Sequence, residues 1–322
     1  MIAWLQKQSI GIRLCFAFLY CGSYYALLFG FGWPSNAAAT VSILTVFPLM
    51  YGSAAQMVLD PHNTKSLARV ARWAFLPIGV FCIGVLIFEF ETIICVLIIA
   101  PIFIVLMVLG QAIMRSLLKN ALIEASSDRV NVSLLMLPFL AVPLFGQVNF
   151  PQAQMRVTTQ MVIEAPEDVI WAHTFEISEI KDHERVWTLS HNILGTPLPI
   201  DAMVDGRVRK LRWSSGIRFE EHLTQIEPNR SMAWDFVFNA PETLVAFDPH
   251  IAPQGGIVNM RAGSYQLAEL PNGDTVLTLE TMYSVTTPIN GYLALWGEVF
   301  LQDFHHAVLS VIKMRSEEAA NL

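Results

Sequence analysis

Charge is scarce in this sequence and cysteine scarcer. Lysine, arginine, aspartate and glutamate together make up 15% of the 322 residues, and there are four cysteines. All four, Cys15, Cys21, Cys82 and Cys95, fall in the first half. No CxxC pair occurs, which excludes a dithiol redox motif and a thiolate zinc site. A GxSxG elbow, an HExxH helix, a Walker loop and a GxGxxG turn are also missing, so the common hydrolase, metallopeptidase and nucleotide-binding readings have no support. The second half carries twelve Lys/Arg against twenty-two Asp/Glu, a net of −10, which argues against a nucleic-acid partner. No cofactor is expected.

Apolar residues are abundant. A hydrophobic fraction of 54% and a mean hydropathy of +0.47 are too apolar for a soluble chain of this size and imply a membrane part. The apolarity is lopsided, because residues 1–149 hold only eight Lys/Arg and five Asp/Glu. The boundary falls near Asn149–Pro151, giving a transmembrane helical region over 1–149 and a second domain over 150–322.

Five apolar stretches occupy the first region: Leu14–Gly32, Ala37–Leu59, Trp73–Phe88, Thr92–Gly110 and roughly Val132–Val148. At about 1.5 Å per residue, about nineteen residues nearly cover a hydrocarbon slab of about 30 Å, and Trp73–Phe88 spans only by borrowing flanking residues, so about five spans are expected. Lys7, Arg13, Lys65, Arg69, Arg72, Arg115, Lys119 and Arg129 all fall before the first span or in alternate connectors, while Trp33–Asn36 and Glu89–Glu91 carry no base. The positive-inside rule then puts the N-terminus in the cytoplasm of a bacterium and residues beyond 150 outside its cytoplasmic membrane. Two alternatives stay open. Residues 1–39 could be a cleaved signal peptide ending at "NAAA", and a re-entrant fifth stretch holding Pro138 and Pro143 would leave the second domain inside. Glu89 and Glu91 read as solvated turn charges, and residues 111–125 as an amphipathic continuation against anionic lipid.

Beyond residue 150 the pattern changes. "MRVTTQMVIEA" (155–165) alternates as a strand does, and "PEDVIWAHTF" then starts a helix with proline and acids at its first turn. Residues 176–205, with Gly195, Pro197 and Pro199, read as short helices, turns and loops. "GRVRKLRW", "IRFEEHLTQI" and "SMAWDFVFN", joined by "SSG" and "EPNR", make an antiparallel meander. Residues 240–260 lack any period and form a long loop of a kind often functional. A hairpin around "PNGD" follows, then one long helix from Pro288.

That order, with "IEAPEDVIW" at one end, "GRVRKLRWSSGIRFEEHLTQIEPNRSMAWDF" in the middle and "WGEVFLQDFHHAVLSVIKMRSE" at the other, resembles the START-like or SRPBCC superfamily over about residues 155–318. The resemblance implies an α+β helix-grip fold, a curved antiparallel sheet around a long C-terminal helix with an apolar cavity between them. Relatives include lipid-transfer domains, hydrophobic-ligand carriers and polyketide aromatase/cyclases. The fold does not choose among them.

On the last helix Leu293, Trp296, Phe300, Phe304, Ala307 and Val311 lie within about 40° of one line. Asp303 falls at the edge of that face, and Glu298, Gln302, His305 and His306 point away. Such a stripe is more often core than ligand box, but a grip sheet leaves volume to fill. Trp213, Phe219, Trp234, Phe236 and Tyr265 are the strand rings that could line it with Trp296, Phe300 and Phe304. Glu221 shares its strand face with Phe219 and Leu223. It pairs with Arg209 inside or makes a rim salt bridge. Asp303 has a similar alternative as a capping or rim contact. These two carboxylates are the catalytic candidates. Asp248 and His250 in "FDPH" could touch a metal, but a third ligand is not fixed by spacing, so no metal is expected. His191 reads equally as a satisfied loop histidine.

Three functions follow: a membrane-tethered domain binding a lipid or other hydrophobic small molecule, a cyclase or dehydratase using Glu221 or Asp303 as acid/base, or a protein-interaction domain with a filled core. The bilayer and an apolar small molecule are the expected partners. No protein partner is specified.

Overall fold

A computed structural model describes residues 7–30, 45–88, 92–123, 150–239 and 257–322, with Trp4 and Glu242. The chain forms two units, Met1–Phe150 and Pro151–Leu322.

The first unit contains helices α1 (Ile10–Gly30), α2 (Phe47–Leu59), α3 (Leu67–Ile87) and α4 (Ile93–Ile123). Its core joins Tyr24, Met50, Tyr51, Ala55, Ala74 and Met107, and the Tyr51 hydroxyl donates to the Ala74 carbonyl at 2.8 Å. Gly52 and Gly110 lie against the backbone carbonyls of Met107 and Leu49, so α2 and α4 meet where no Cβ fits. The count of about five spans is corrected. Among the described residues two helices are long and apolar enough to cross a membrane, over Leu67–Gly84 and Ile93–Lys119. Helix α2 has 13 residues, about 20 Å of rise, and residues 37–44 of the apolar run Ala37–Leu59 lie outside the described residues. Glu89, Glu91, Arg129 and the stretch Val132–Val148 lie outside the described residues. On α3 and α4 the side chains of Leu76, Val80, Phe81, Ile83, Leu97, Val105 and Leu109 are exposed, an apolar surface that soluble monomers rarely present.

The second unit starts with β1 (Ala153–Ile163), α5 (Glu167–Phe175) and the single turn α6 (Leu189–Asn192). Then come β2 (Pro199–Asp205), β3 (Val208–Trp213), β4 (Arg218–Glu227), β5 (Ser231–Val237), β6 (Val258–Glu269), β7 (Thr275–Val285) and α7 (Asn290–Ala320). They make one seven-stranded sheet in the order β1-β7-β6-β5-β4-β3-β2, with every neighbouring pair antiparallel. A seven-stranded antiparallel sheet with a long C-terminal helix fits the helix-grip arrangement.

Of the short helices, turns and loops expected over 176–205, α6 is one such helix, and strand β2 corrects the reading from Pro199 onward. Pro199 begins an edge strand, where a missing N–H costs no ladder bond. The turns follow residue chemistry: Asn229 (φ 61°) closes β4–β5 and Gly273 (φ 90°) closes β6–β7, both in the left-handed region those residues tolerate. Register shifts at Leu223/Gln225 and Met260/Ala262 add local bend and twist.

One face of the sheet is apolar and packs on α7. Ile163, Leu211, Leu223, Met232, Trp234, Tyr265, Leu267, Leu277 and Leu279 form a single core with Leu309, Val311 and Ile312. The α7 residues Leu301, His305, Leu309, Ile312 and Ser316 are buried at helical spacing. His305, expected to point outward, is therefore corrected: it is 3% exposed. Its Nδ1 lies 2.9 Å from the Thr159 hydroxyl and its Nε2 2.8 Å from that of Thr281, so β1 and β7 satisfy both ring nitrogens. His306 is exposed as expected.

Near its C-terminus α7 is held by Arg315, which donates to both Glu184 oxygens, at 2.6 and 2.9 Å. The Arg315 guanidinium holds the Glu184 carboxyl down at about 2.

Candidate functional site

Because strand side chains alternate, the register dictates which residues share the gripping face. Arg209 of β3 lies opposite Glu221 of β4, which lies opposite Phe236 of β5. The next row sets Leu223 against Trp234, and Trp234 against Gly263. A Cβ at 263 would meet the Trp234 indole, so the ring lies directly over that backbone.

The result is a run of rings along the inside of the sheet. His191 on α6 touches Phe304 on α7, centroids 5.0 Å apart, and Phe304 meets the edge of Trp213 at 5.3 Å. Trp213 leads to Phe219 at 5.9 Å and Phe219 to Phe236 at 6.0 Å. Phe236 continues to Trp234 at 6.2 Å and Trp234 to Tyr265 at 5.2 Å. Phe238, which the sequence reading missed, packs on both Phe219 and Phe236; its i+2 spacing from Phe236 was the available signal. Trp213, Phe219, Phe236 and Phe304 are only half-buried despite lying on this face.

Six of the eight rings expected to line the site are thus brought together. Trp296 and Phe300 are not in the run: they stack on each other at 6.1 Å, about two turns and one turn before Phe304 on α7 respectively, and both are half-buried.

The run ends at a buried ion pair. Arg209 Nη1 donates to Glu221 Oε2 at 2.6 Å, with the residues 1% and 5% exposed. The inside pairing, one of the two alternatives for Glu221, is therefore the one found. The guanidinium carbon also lies 5.6 Å from the Trp234 centroid and 5.8 Å from that of Tyr265, so two ring faces help hold a desolvated cation. Burial lifts the Glu221 carboxyl to about 7 against the opposing pull of Arg209. Burial likewise pushes the Tyr265 phenol up to about 12. Arg209 Nε and Trp234 Nε1 have no hydrogen-bond partner.

At the other end Asp303 is half-buried and accepts from both the backbone N and the hydroxyl of Ser190, each at 2.7 Å. It caps the turn of α6 and fixes that turn against α7. Ser190, His191 and Asp303 do not form a nucleophile triad, because the Ser190 hydroxyl is held by the carboxylate while His191 Nδ1 lies 2.6 Å from the Thr188 hydroxyl. Burial lowers the His191 pKa, with Asp303 acting against it. Asp248 and His250 lie outside the described residues, and among the described residues no three His, Cys, Asp or Glu side chains converge as a metal site requires.

No family model and no curated protein matches this chain. Among solved structures, the chain is similar to the Zhui aromatase/cyclase from Streptomyces sp. R1128, at 15% identity, 52% of this chain, 96% of that one and a TM-score of 0.33. It is also similar to the protein XoxI from Bacillus cereus, at 16% identity, 51% and 97% coverage and a TM-score of 0.31. A protein from Rhizobium leguminosarum matches at 12% identity, 53% and 99% coverage and a TM-score of 0.31. At these values the chain's own strand order and register carry the fold assignment.

Proposed function

We propose that this chain holds a hydrophobic small molecule, a lipid or another apolar compound, between the sheet and α7 of a START-like domain, and that its apolar helices keep that domain at a membrane. The observation that carries this reading is the run of rings from His191 to Tyr265, half-buried over Trp213, Phe219, Phe236 and Phe304 and fully buried at Trp234. Rings that filled a closed core would be buried throughout. Each methylene that a ligand transfers from water to such a surface stabilises the complex by about 0.8 kcal/mol. Tethering would raise the local concentration of membrane-derived ligand.

The test is to purify the full chain in detergent, extract it with organic solvent and identify what co-purifies by mass spectrometry. An apolar molecule in stoichiometric amount, reduced severalfold in W213A/F219A, is the expected result. A chain that stays empty when offered lipid extracts contradicts the reading and favours a filled interaction domain.

The distribution of positive residues supports an extracytoplasmic position for the second unit. Asn272 is exposed in the β6–β7 turn. In intact cells an N272C variant is expected to react with an impermeant thiol reagent above the wild-type background. Reaction only after lysis places the unit on the cytoplasmic side.

A second reading, a cyclase or dehydratase, is favoured by one observation, the Glu221 carboxyl lifted to about 7, where a group both takes and gives protons at neutral pH. Asp303 offers this reading less, since its Oδ2 is already occupied by Ser190.

A further inference from the structure

Bases gather at one end of the first unit without carboxylate partners. Residues 45–88 and 92–123 hold five, Lys65, Arg69, Arg72, Arg115 and Lys119, against a single acid, Asp60. Asp60 is 2% exposed and turned inward. One of its oxygens accepts from the Thr64 N–H and hydroxyl at 2.8 and 2.9 Å, the other from the Lys65 N–H at 2.9 Å. Among the described residues no carboxylate forms an ion pair with any of the five bases.

The backbone brings these bases to one place. Asn63, in the left-handed region (φ 56°), turns the chain between α2 and α3 and donates its Nδ2 to the Arg115 carbonyl of α4 at 2.9 Å. Arg115 Nη1 returns a bond to the Lys65 carbonyl at 2.8 Å, which fixes the start of α3 beside the last turns of α4. Lys65 Nζ donates to the Leu59 carbonyl at 3.0 Å. Both side chains keep further N–H donors for a ligand. Arg69, Arg72 and Lys119 are exposed.

Beyond the bases the same lines of both helices turn apolar. On α3 the exposed Trp73, Leu76, Val80 and Ile87 lie within about 40° of Arg69, and on α4 the exposed Ile104 and Leu97 lie within about 20° of Arg115. The rise from Arg72 to Ile87 is about 23 Å and from Arg115 to Leu97 about 27 Å, close to the hydrocarbon thickness of a bilayer. Trp73 stands where base gives way to aliphatic, the level at which indoles collect at a membrane surface. An acidic protein would meet the bases but would leave the aliphatic continuation uncovered.

We infer that Lys65, Arg69, Arg72 and Arg115 form a headgroup site for an anionic phospholipid, whose phosphate meets the bases while its acyl chains run along α3 and α4. A phosphate diester brings the negative charge and the acceptor oxygens that these cations lack within the chain. The site is separate from the ring run of the second unit and rests only on the membrane part of the proposed reading.

The test uses the full chain purified in an uncharged detergent and offered phosphatidylglycerol or phosphatidylcholine with identical acyl chains. Bound lipid is read by native mass spectrometry over a series of salt concentrations. Phosphatidylglycerol is expected to bind severalfold more tightly than phosphatidylcholine, with the preference weakening as salt rises. The side chains of Arg69 and Arg72 make no bond among the described residues, so R69Q/R72Q removes charge without removing a contact of the fold. In it the preference should fall about fivefold for each charge lost, while circular dichroism holds. R218Q, which removes an exposed base from the second unit, should leave the preference unchanged. Equal binding of the two lipids, or an equal loss in R218Q, overturns the site and leaves the membrane reading standing. Displacement of the lipid by inorganic phosphate at the same concentration overturns it in favour of a free anion. Recovery of the chain from cells in the soluble fraction without detergent overturns the membrane reading together with the site.

Discussion

Replacing Arg209 with methionine is expected to lower the stability of the second unit by about 3–5 kcal/mol, the usual cost of stranding one partner of a buried pair. Glu221 would be left 5% exposed, with its cation and the bond at 2.6 Å gone. The loss should depend on pH in a stated direction. Burial raises the Glu221 carboxyl and Arg209 opposes it, so removing Arg209 raises it further. A carboxyl raised on folding contributes stability below its unfolded value, and that contribution disappears as pH rises through the folded value. Measured against wild type at the same pH, R209M should therefore lose less stability near pH 5 than near pH 8. Denaturant titrations of the full chain, followed by tryptophan fluorescence, read both effects. The double variant R209M/E221M should recover most of the loss, because an apolar pair of similar volume leaves no buried charge. If R209M costs less than about 1 kcal/mol at pH 8, the pair is hydrated rather than buried.

Acidification is expected to remove about 3 kcal/mol through His305, whose imidazole is lowered to about 4 by burial from an unfolded value near 6.5. A histidine lowered on folding binds its proton in the unfolded chain first, so stability is complete above about pH 6.5 and is lost down to about pH 4. The geometry explains the direction. Each ring nitrogen faces a threonine hydroxyl that can donate or accept, so the neutral ring is satisfied in either tautomer, whereas the cation would be desolvated with no anion beside it. Glu184 adds a separate loss at lower pH, between its unfolded value and about 2, as its bonds from Arg315 are broken by protonation. Measured against wild type, H305L should lose the part of the slope between pH 6.5 and pH 4 that His305 supplies, about 3 kcal/mol, while the slopes from Glu221, His191 and Glu184 stay common to both chains. The same variant should be less stable at neutral pH by about 1–3 kcal/mol, since the buried Thr281 hydroxyl loses its partner. An unchanged acid slope in H305L would assign that loss to other groups.

Arg209 and Glu221 were readable as partners because strand alternation has a period of 2, and two strands joined by a tight turn leave few registers. The same logic put Phe219, Trp234, Phe236 and Tyr265 on one face. Strand β2 was not readable, because seven residues starting with Pro199 at a sheet edge show little alternation and much turn chemistry. The inner face of α7 was read a part-turn out of phase. Phe304, Ala307 and Val311 do lie toward the sheet, but Leu301, His305, Leu309, Ile312 and Ser316 mark the most buried line. Polarity hid His305, since a histidine is buried here only because two threonines from distant strands meet it.

The sequence alone determined the division into an apolar helical half and an acidic strand-rich half, the meander, and the long closing helix, because these follow from composition, local period and turn residues. Tertiary structure alone decided which rings join, which helical face is covered, and that the donors of Arg209 and Trp234 end without partners. Those features depend on how a bent sheet brings together residues far apart in the chain, and neighbour-to-neighbour periodicity carries no record of that distance.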